Sequence, residues 1–134
     1  KDDRIINILV ERAIKRNKVF IHDQGKEIRS YLYIKDAIII LLNILLYGKK
    51  EVYNVAGEEK ISIKKLGQLI AKLNNKKFEI QDKKINYKIG SPKKTSISVK
   101  RVKEEFNFKK FTKINDGLKK TIEWQKKLYK TKSL

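Results

Sequence analysis

Cysteine and methionine are absent from the 134-residue chain, and proline, tryptophan and histidine each occur once. Without cysteine there is no disulfide framework and no thiolate metal site, a usage that fits a reducing compartment. The lone His22 has no second imidazole to share a metal with. Long apolar runs are lacking too. The longest, Ala37 to Leu46, is interrupted by Asn43 and falls short of the ~20 residues a bilayer span needs. The start has no signal-peptide pattern, and it opens on Lys1 rather than Met, so a soluble, cytoplasmic fragment or processed product is expected. Acidic residues are scarce: 15 against 34 basic ones, for a net charge of +19.

That charge would ordinarily point to nucleic acid. Its distribution points elsewhere. Nearly all of it is lysine spread along the whole length, with arginine only at positions 4, 12, 16, 29 and 101. Lysine, isoleucine and asparagine are abundant together, as an AT-rich coding sequence produces, so solvated lysine faces are the leading reading. Weak, salt-sensitive binding to polyanions follows from charge alone.

The length suits one domain with a modest core. Ile5, Ile6, Leu9, Val10, Ala13 and Ile14 recur at helical spacing and predict a helix over residues 3–17. Val19-Phe20-Ile21 reads as a short strand, joined through Gly25 to a second strand from Ile28 to Ile34, and the two predict a hairpin. Asp36 is placed to cap an almost wholly apolar helix that runs to Tyr47 and ends at Gly48. Such a helix calls for cover on more than one face. Residues 51–55 read as a strand, Ser62 as the cap of a helix over 63–73, and 78–80 as a strand. Residues 83–95 read as loop. Helices over 99–106 and 115–129 follow, with Trp124 and Tyr129 as packing residues, and 130–134 form a frayed tail. Alternating helices and strands make the class α/β or α+β.

The stretch Gly25-Lys26-Glu27-Ile28-Arg29-Ser30-Tyr31-Leu32-Tyr33-Ile34-Lys35-Asp36 resembles a strand-to-helix pattern of the extended short-chain dehydrogenase/reductases, the nucleotide-sugar epimerases and dehydratases. Four more stretches are similar to that family in the same order: Val52 to Gly57, Ile61-Ser62-Ile63, Gly90 to Lys94, and Asn115 to Trp124. Val99 to Phe108 resembles the helix between the last two. The resemblance covers residues 1–129 and implies the C-terminal, substrate-binding portion of a Rossmann-type enzyme. It implies that Arg29 meets the diphosphate of a sugar nucleotide, that Lys93 or Lys94 assists, and that Asn54 lies near the cleft. Lysine stands where the family's loop carries arginine, so any contact there is a point charge rather than a bidentate fork.

The family's glycine-rich pyrophosphate turn is not in this sequence, nor is its catalytic serine or threonine with the Tyr-x-x-x-Lys pair. Tyr31 and Lys35 have that spacing, but four residues along a strand span ~13 Å. The resemblance therefore implies no catalytic, cofactor-binding or metal-binding residue in this stretch. NAD(P) would be bound by an N-terminal Rossmann half, with which this portion would assemble, and a homodimer is a further expectation. The rival reading is a small basic nucleic-acid-binding module.

Overall fold

The computed structural model describes residues 4–81 and 96–131. The order of elements is α1 (Ile5–Lys15), β1 (Lys18–Ile21), β2 (Ile28–Ser30), α2 (Ile34–Tyr47), β3 (Lys60–Ser62), α3 (Ile63–Leu73), β4 (Lys77–Ile80), α4 (Lys100–Glu105) and α5 (Ile114–Thr131). The apolar stripe of α1 buries Leu9, Val10 and Ala13. On α3, Leu66 and Ile70 are fully buried, and Ser62 caps the helix by accepting from the Lys65 amide at 3.2 Å. Leu118 and Ile122 of α5 and Val19 and Ile21 of β1 complete one apolar core.

The strand pairing departs from the predicted hairpin. β1 runs parallel to β4, with Val19 opposite Phe78 and Ile21 opposite Ile80. β2 runs antiparallel to β3, with Arg29 opposite Ile61. Helix α3 drives this arrangement. Its first free amides, on Ile63 and Lys64, donate to the carbonyls of Glu27 and Gly25, each at 3.0 Å. The chain after β1 is thus held at the start of α3 and cannot fold back on β1. Gly25 adopts φ +56°, and a Cβ there would lie 2.7 Å from both the Ile21 side chain and the Lys64 nitrogen, so glycine is required. Further along, α3 lies over the parallel pair, with Gly67 making room for the Phe78 ring.

Helix α2 is held at its ends rather than by its apolar face. Only Asp36 and Ile40 are buried in it, and it makes little contact with the other helices and strands. Asp36 is not the cap: Tyr33 occupies that position without a side-chain bond, and Asp36 sits in the first turn. Its carboxylate, 5% exposed, accepts from the amide of Thr112 at 2.7 Å and from its hydroxyl at 3.0 Å. The other end is fixed by Glu105, which accepts from the Tyr53 hydroxyl at 2.5 Å and from the Lys49 amide at 2.8 Å. Between these anchors Ile34, Ile38, Leu41, Leu42 and Leu45 share one face, and all are exposed, Leu45 by 78%. Burial of such a side chain contributes ~1.5–3 kcal/mol, most of which this face forgoes.

Glu105 gives the fold a pH dependence. The Tyr53 hydroxyl first, and the Lys49 amide second, hold its carboxyl below the ordinary value of 4.5. A folded-state pKa below the unfolded one stabilises above the unfolded value, and the gain is lost as pH falls through the depressed value. Glu105→Gln should therefore lower the urea midpoint at pH 7, and the gap from wild type should close below about pH 4.5.

Two further expectations shift. The predicted strand over 28–34 ends at Ser30, because Tyr33 already caps α2, and residues 51–55 form no strand among the described residues. Trp124, expected to pack, is 59% exposed.

Candidate functional site

Arg29 lies in the middle of β2, half-buried, and one guanidinium nitrogen donates to the Ile28 carbonyl at 2.9 Å. Side chains alternate along extended backbone, so Tyr31, two residues on, falls on the same side. The Tyr31 hydroxyl is buried and has no hydrogen-bond partner among the described residues. Burial pushes its pKa above the ordinary value of 10.0, and the neighbouring Arg29 charge pulls the other way. The Arg29 guanidinium, one N–H of which already goes to the Ile28 carbonyl, therefore lies near a phenol that packs against the apolar core and whose hydroxyl has no partner among the described residues; both are donors of the kind phosphate oxygens accept. Sequence reasoning weighed Tyr31 only against Lys35; the two-residue interval from Arg29 was the signal that could have placed the two side chains on one side.

The main chain of Tyr31 is itself packed against backbone. A Cβ on Gly57 would stand 2.0 Å from the Tyr31 carbonyl oxygen, so Ala56-Gly57 lies directly against residue 31. A backbone atom cannot rotate away as a side-chain tip can. Gly57→Ala should cost at least the ~1–3 kcal/mol of an overpacked site, read as a lowered urea midpoint. Asn54, three residues before this contact, is exposed.

A further segment meets the β2–β3 ladder at Ser96, on the face opposite Arg29 and Tyr31 because side chains alternate along each strand. Lys60, register partner of Ser30, donates from Nζ to the Ser96 hydroxyl at 3.2 Å. Ser96 is the first described residue after the 82–95 stretch, so Lys93 and Lys94, with Tyr87, Lys88 and Pro92, lie outside the described residues. The structure thus brings together Arg29, Tyr31 and the backbone of residues 56–57. Asp36 is drawn to Thr112 instead, in a structural clasp.

Tyr31 precedes the cap of α2, and Lys35 is an exposed residue of its first turn, so the pair does not share a helical turn. His22 lies near Arg12, whose guanidinium donates to the Phe20 carbonyl at 2.5 Å and covers the Phe20 ring at 4.0 Å. Among the described residues no group of three His, Cys, Asp or Glu could hold a metal ion. No helix is long and apolar enough to cross a membrane. An open groove of about 370 Å³, lined by Lys49, Lys50, Glu51, Val52 and Arg101, lies at the far end of α2 and contains none of the predicted site residues.

No family model matches the chain. Among curated proteins it is 24% identical to the dTDP-glucose 4,6-dehydratase of Escherichia coli over 129 residues, covering 91% of this chain and 36% of that protein. The dTDP-glucose 4,6-dehydratase of Xanthomonas campestris pv. campestris is 21% identical, over 91% of this chain and 37% of its own. Among solved structures, the dTDP-glucose 4,6-dehydratase of Bacillus anthracis in complex with NAD superposes with a TM-score of 0.79 at 22% identity, over 93% of this chain and 39% of that one. The UDP-glucuronic acid 4-epimerase of Bacillus cereus, in complex with UDP-glucuronic acid and NAD, gives 0.78 at 22%, over 95% and 41%. The UDP-glucose 4-epimerase of Thermotoga maritima, with UDP-glucose, gives 0.76 at 21%, over 94% and 40%. The chain spans little more than a third of the length of the curated relatives it matches. Its fold is that of the corresponding C-terminal part of the extended short-chain dehydrogenase/reductases.

Proposed function

We propose, for a chain with this fold, that it is the substrate-binding part of an NAD(P)-dependent nucleotide-sugar epimerase or dehydratase, and that it grips the diphosphate of the sugar nucleotide. The observation that carries the reading is the Arg29–Tyr31 pair: a half-buried guanidinium near a buried phenol hydroxyl that has no hydrogen-bond partner among the described residues. Arg29 supplies charge-assisted bonds to phosphate oxygens, and Tyr31 donates one more. Lys93 and Lys94, which lie outside the described residues, add point charges to the diphosphate in this reading, which rests on their place in the sequence alone. Asn54 contributes at the cleft edge.

In this reading NAD(P) belongs to a Rossmann half with which this portion assembles, and hydride chemistry belongs to the cofactor. Relatives of matching fold were solved with NAD and with UDP-glucose or UDP-glucuronic acid. The part described here holds and orients the sugar nucleotide.

A salt titration separates this role from general polyanion binding. In the NAD(P)-binding parent, a UDP- or dTDP-sugar should compete with other sugar nucleotides in a way that depends on Arg29, with only a shallow loss of affinity between 50 and 200 mM salt. A nucleic-acid module would instead hold single-stranded DNA or RNA tightly and lose about 10³-fold or more over that range.

A further inference from the structure

We infer that the groove at the far end of α2 is an anion site for a doubly charged phosphate, free or carried by a small molecule, and that it is separate from the substrate grip at Arg29. Its lining is Lys49, Lys50, Glu51, Val52 and Arg101, around about 370 Å³ of open space. That space lies at the lower end of the roughly 300–1,000 Å³ typical of small-molecule sites. Three cations against one carboxylate leave the lining with a formal charge of +2. A phosphomonoester carries roughly −1.5 to −2 at pH 7, so the charges match.

Lysine elsewhere in this chain is spread over solvated faces, but here the frame that carries it is fixed. The Tyr53 hydroxyl accepts from the amides of Lys49 at 2.8 Å and Lys50 at 3.0 Å, and donates to Glu105 at 2.5 Å. The Tyr53 ring packs on Phe106 with centroids 5.5 Å apart. Both lysine side chains therefore leave from backbone pinned by one phenol. Arg101 reaches the same place from α4, donating to the Val52 carbonyl, with its guanidinium 6.0 Å from the centroid of the Tyr53 ring. That bond fixes the guanidinium plane and uses one of five N–H donors. Glu105 does not line the groove, and its carboxylate is engaged by the Tyr53 hydroxyl and the Lys49 amide.

The donor set selects the ligand. A planar fork can meet two phosphate oxygens while the two ammonium groups meet the others as point charges. A nucleic-acid backbone, with one charge per linkage along a strand, calls for a track of cations rather than three gathered in one pocket. None of Arg29, Tyr31 and Asn54 lines the groove, so the inference stands whether or not the substrate reading does.

The test is calorimetric titration of the intact protein with inorganic phosphate, glycerol 3-phosphate and dimethyl phosphate. Lys49→Gln with Lys50→Gln removes two charges and keeps the amides that Tyr53 holds, while Lys64→Gln with Lys65→Gln, at exposed positions on α3, makes the same charge change as control. The first pair should weaken phosphate binding at least about tenfold, and the control pair and Arg29→Ala should each stay within about twofold. Dimethyl phosphate, singly charged like a nucleic-acid linkage, should bind at least about tenfold more weakly than the dianions. Equal affinity for the two dianions assigns the site to free phosphate, and tighter glycerol 3-phosphate assigns it to a phosphorylated small molecule. No saturable binding at millimolar phosphate, equal loss in the two lysine pairs, or dimethyl phosphate bound as well as the dianions overturns the inference. Loss on Arg29→Ala instead also overturns it, by placing the phosphate at the substrate grip. Dependence of the sugar-nucleotide KM on Arg29 is read separately, so either site can fail alone.

Discussion

Asp36→Ala should lower the unfolding free energy of the chain by about 2–4 kcal/mol, the largest stability effect of any single substitution proposed for it. The carboxylate is 5% exposed and accepts two hydrogen bonds from one residue, Thr112, which lies 76 positions along the chain. Truncation leaves the half-buried Thr112 amide without its acceptor and opens a void at the start of α2. Asp36→Asn keeps the shape and one acceptor oxygen but turns an NH₂ toward one of the donors, so an intermediate loss is expected. Thr112→Val removes the hydroxyl bond alone and should cost about 1 kcal/mol. Urea titration reads all three as a lower midpoint at unchanged slope. An Asp36→Ala loss below about 0.5 kcal/mol would mean that α2 is held by something other than this clasp.

The functional counterpart is Arg29→Ala. In a parent enzyme of the proposed kind it should raise the sugar-nucleotide KM by roughly 10- to 150-fold, the equivalent of the ~1.5–3 kcal/mol carried by hydrogen bonds to a charged group. NAD(P) affinity should stay within about twofold, and kcat should change far less than KM, since in the proposed reading the diphosphate is bound away from the reacting carbon and alike in ground and transition states. Arg29→Lys should recover part of the loss, as a point charge without the fork.

Tyr31→Phe is the informative companion. Its hydroxyl is buried without a partner among the described residues, so removing it should leave stability unchanged or slightly higher while raising KM about three- to tenfold. A residue that merely packs would leave KM unchanged.

Much of the architecture was readable because local rules carried it. Helix α3 begins and ends where Ser62 and Asn74 say it should, since its cap, apolar stripe and breaker all lie within a dozen residues. The pairing of strands was not readable. Composition marks Val19–Ile21 and Ile28–Ser30 as strands, but their partners are chosen by the amides of Ile63 and Lys64, some forty residues later. Asp36 shows the same limit. Its position before an apolar run matches a cap, and its actual use depends on Thr112, which no local pattern reveals. Arg29 stood out as the one arginine in a strand-like stretch. Tyr31 acquires meaning only from burial, which leaves its hydroxyl unpaired beside that charge. The strand read at 51–55 has the right residues and no sheet to join among the described residues.

The most direct measurement is a crystal structure of the NAD(P)-binding parent with a UDP- or dTDP-sugar bound. A guanidinium nitrogen of Arg29 should stand about 2.7–2.9 Å from a diphosphate oxygen, with the Tyr31 hydroxyl within hydrogen-bond reach of the same group. A diphosphate bound elsewhere, for instance in the groove of Lys49, Lys50 and Arg101, with Arg29 still turned to the Ile28 carbonyl, would contradict the assignment of this strand as the substrate grip.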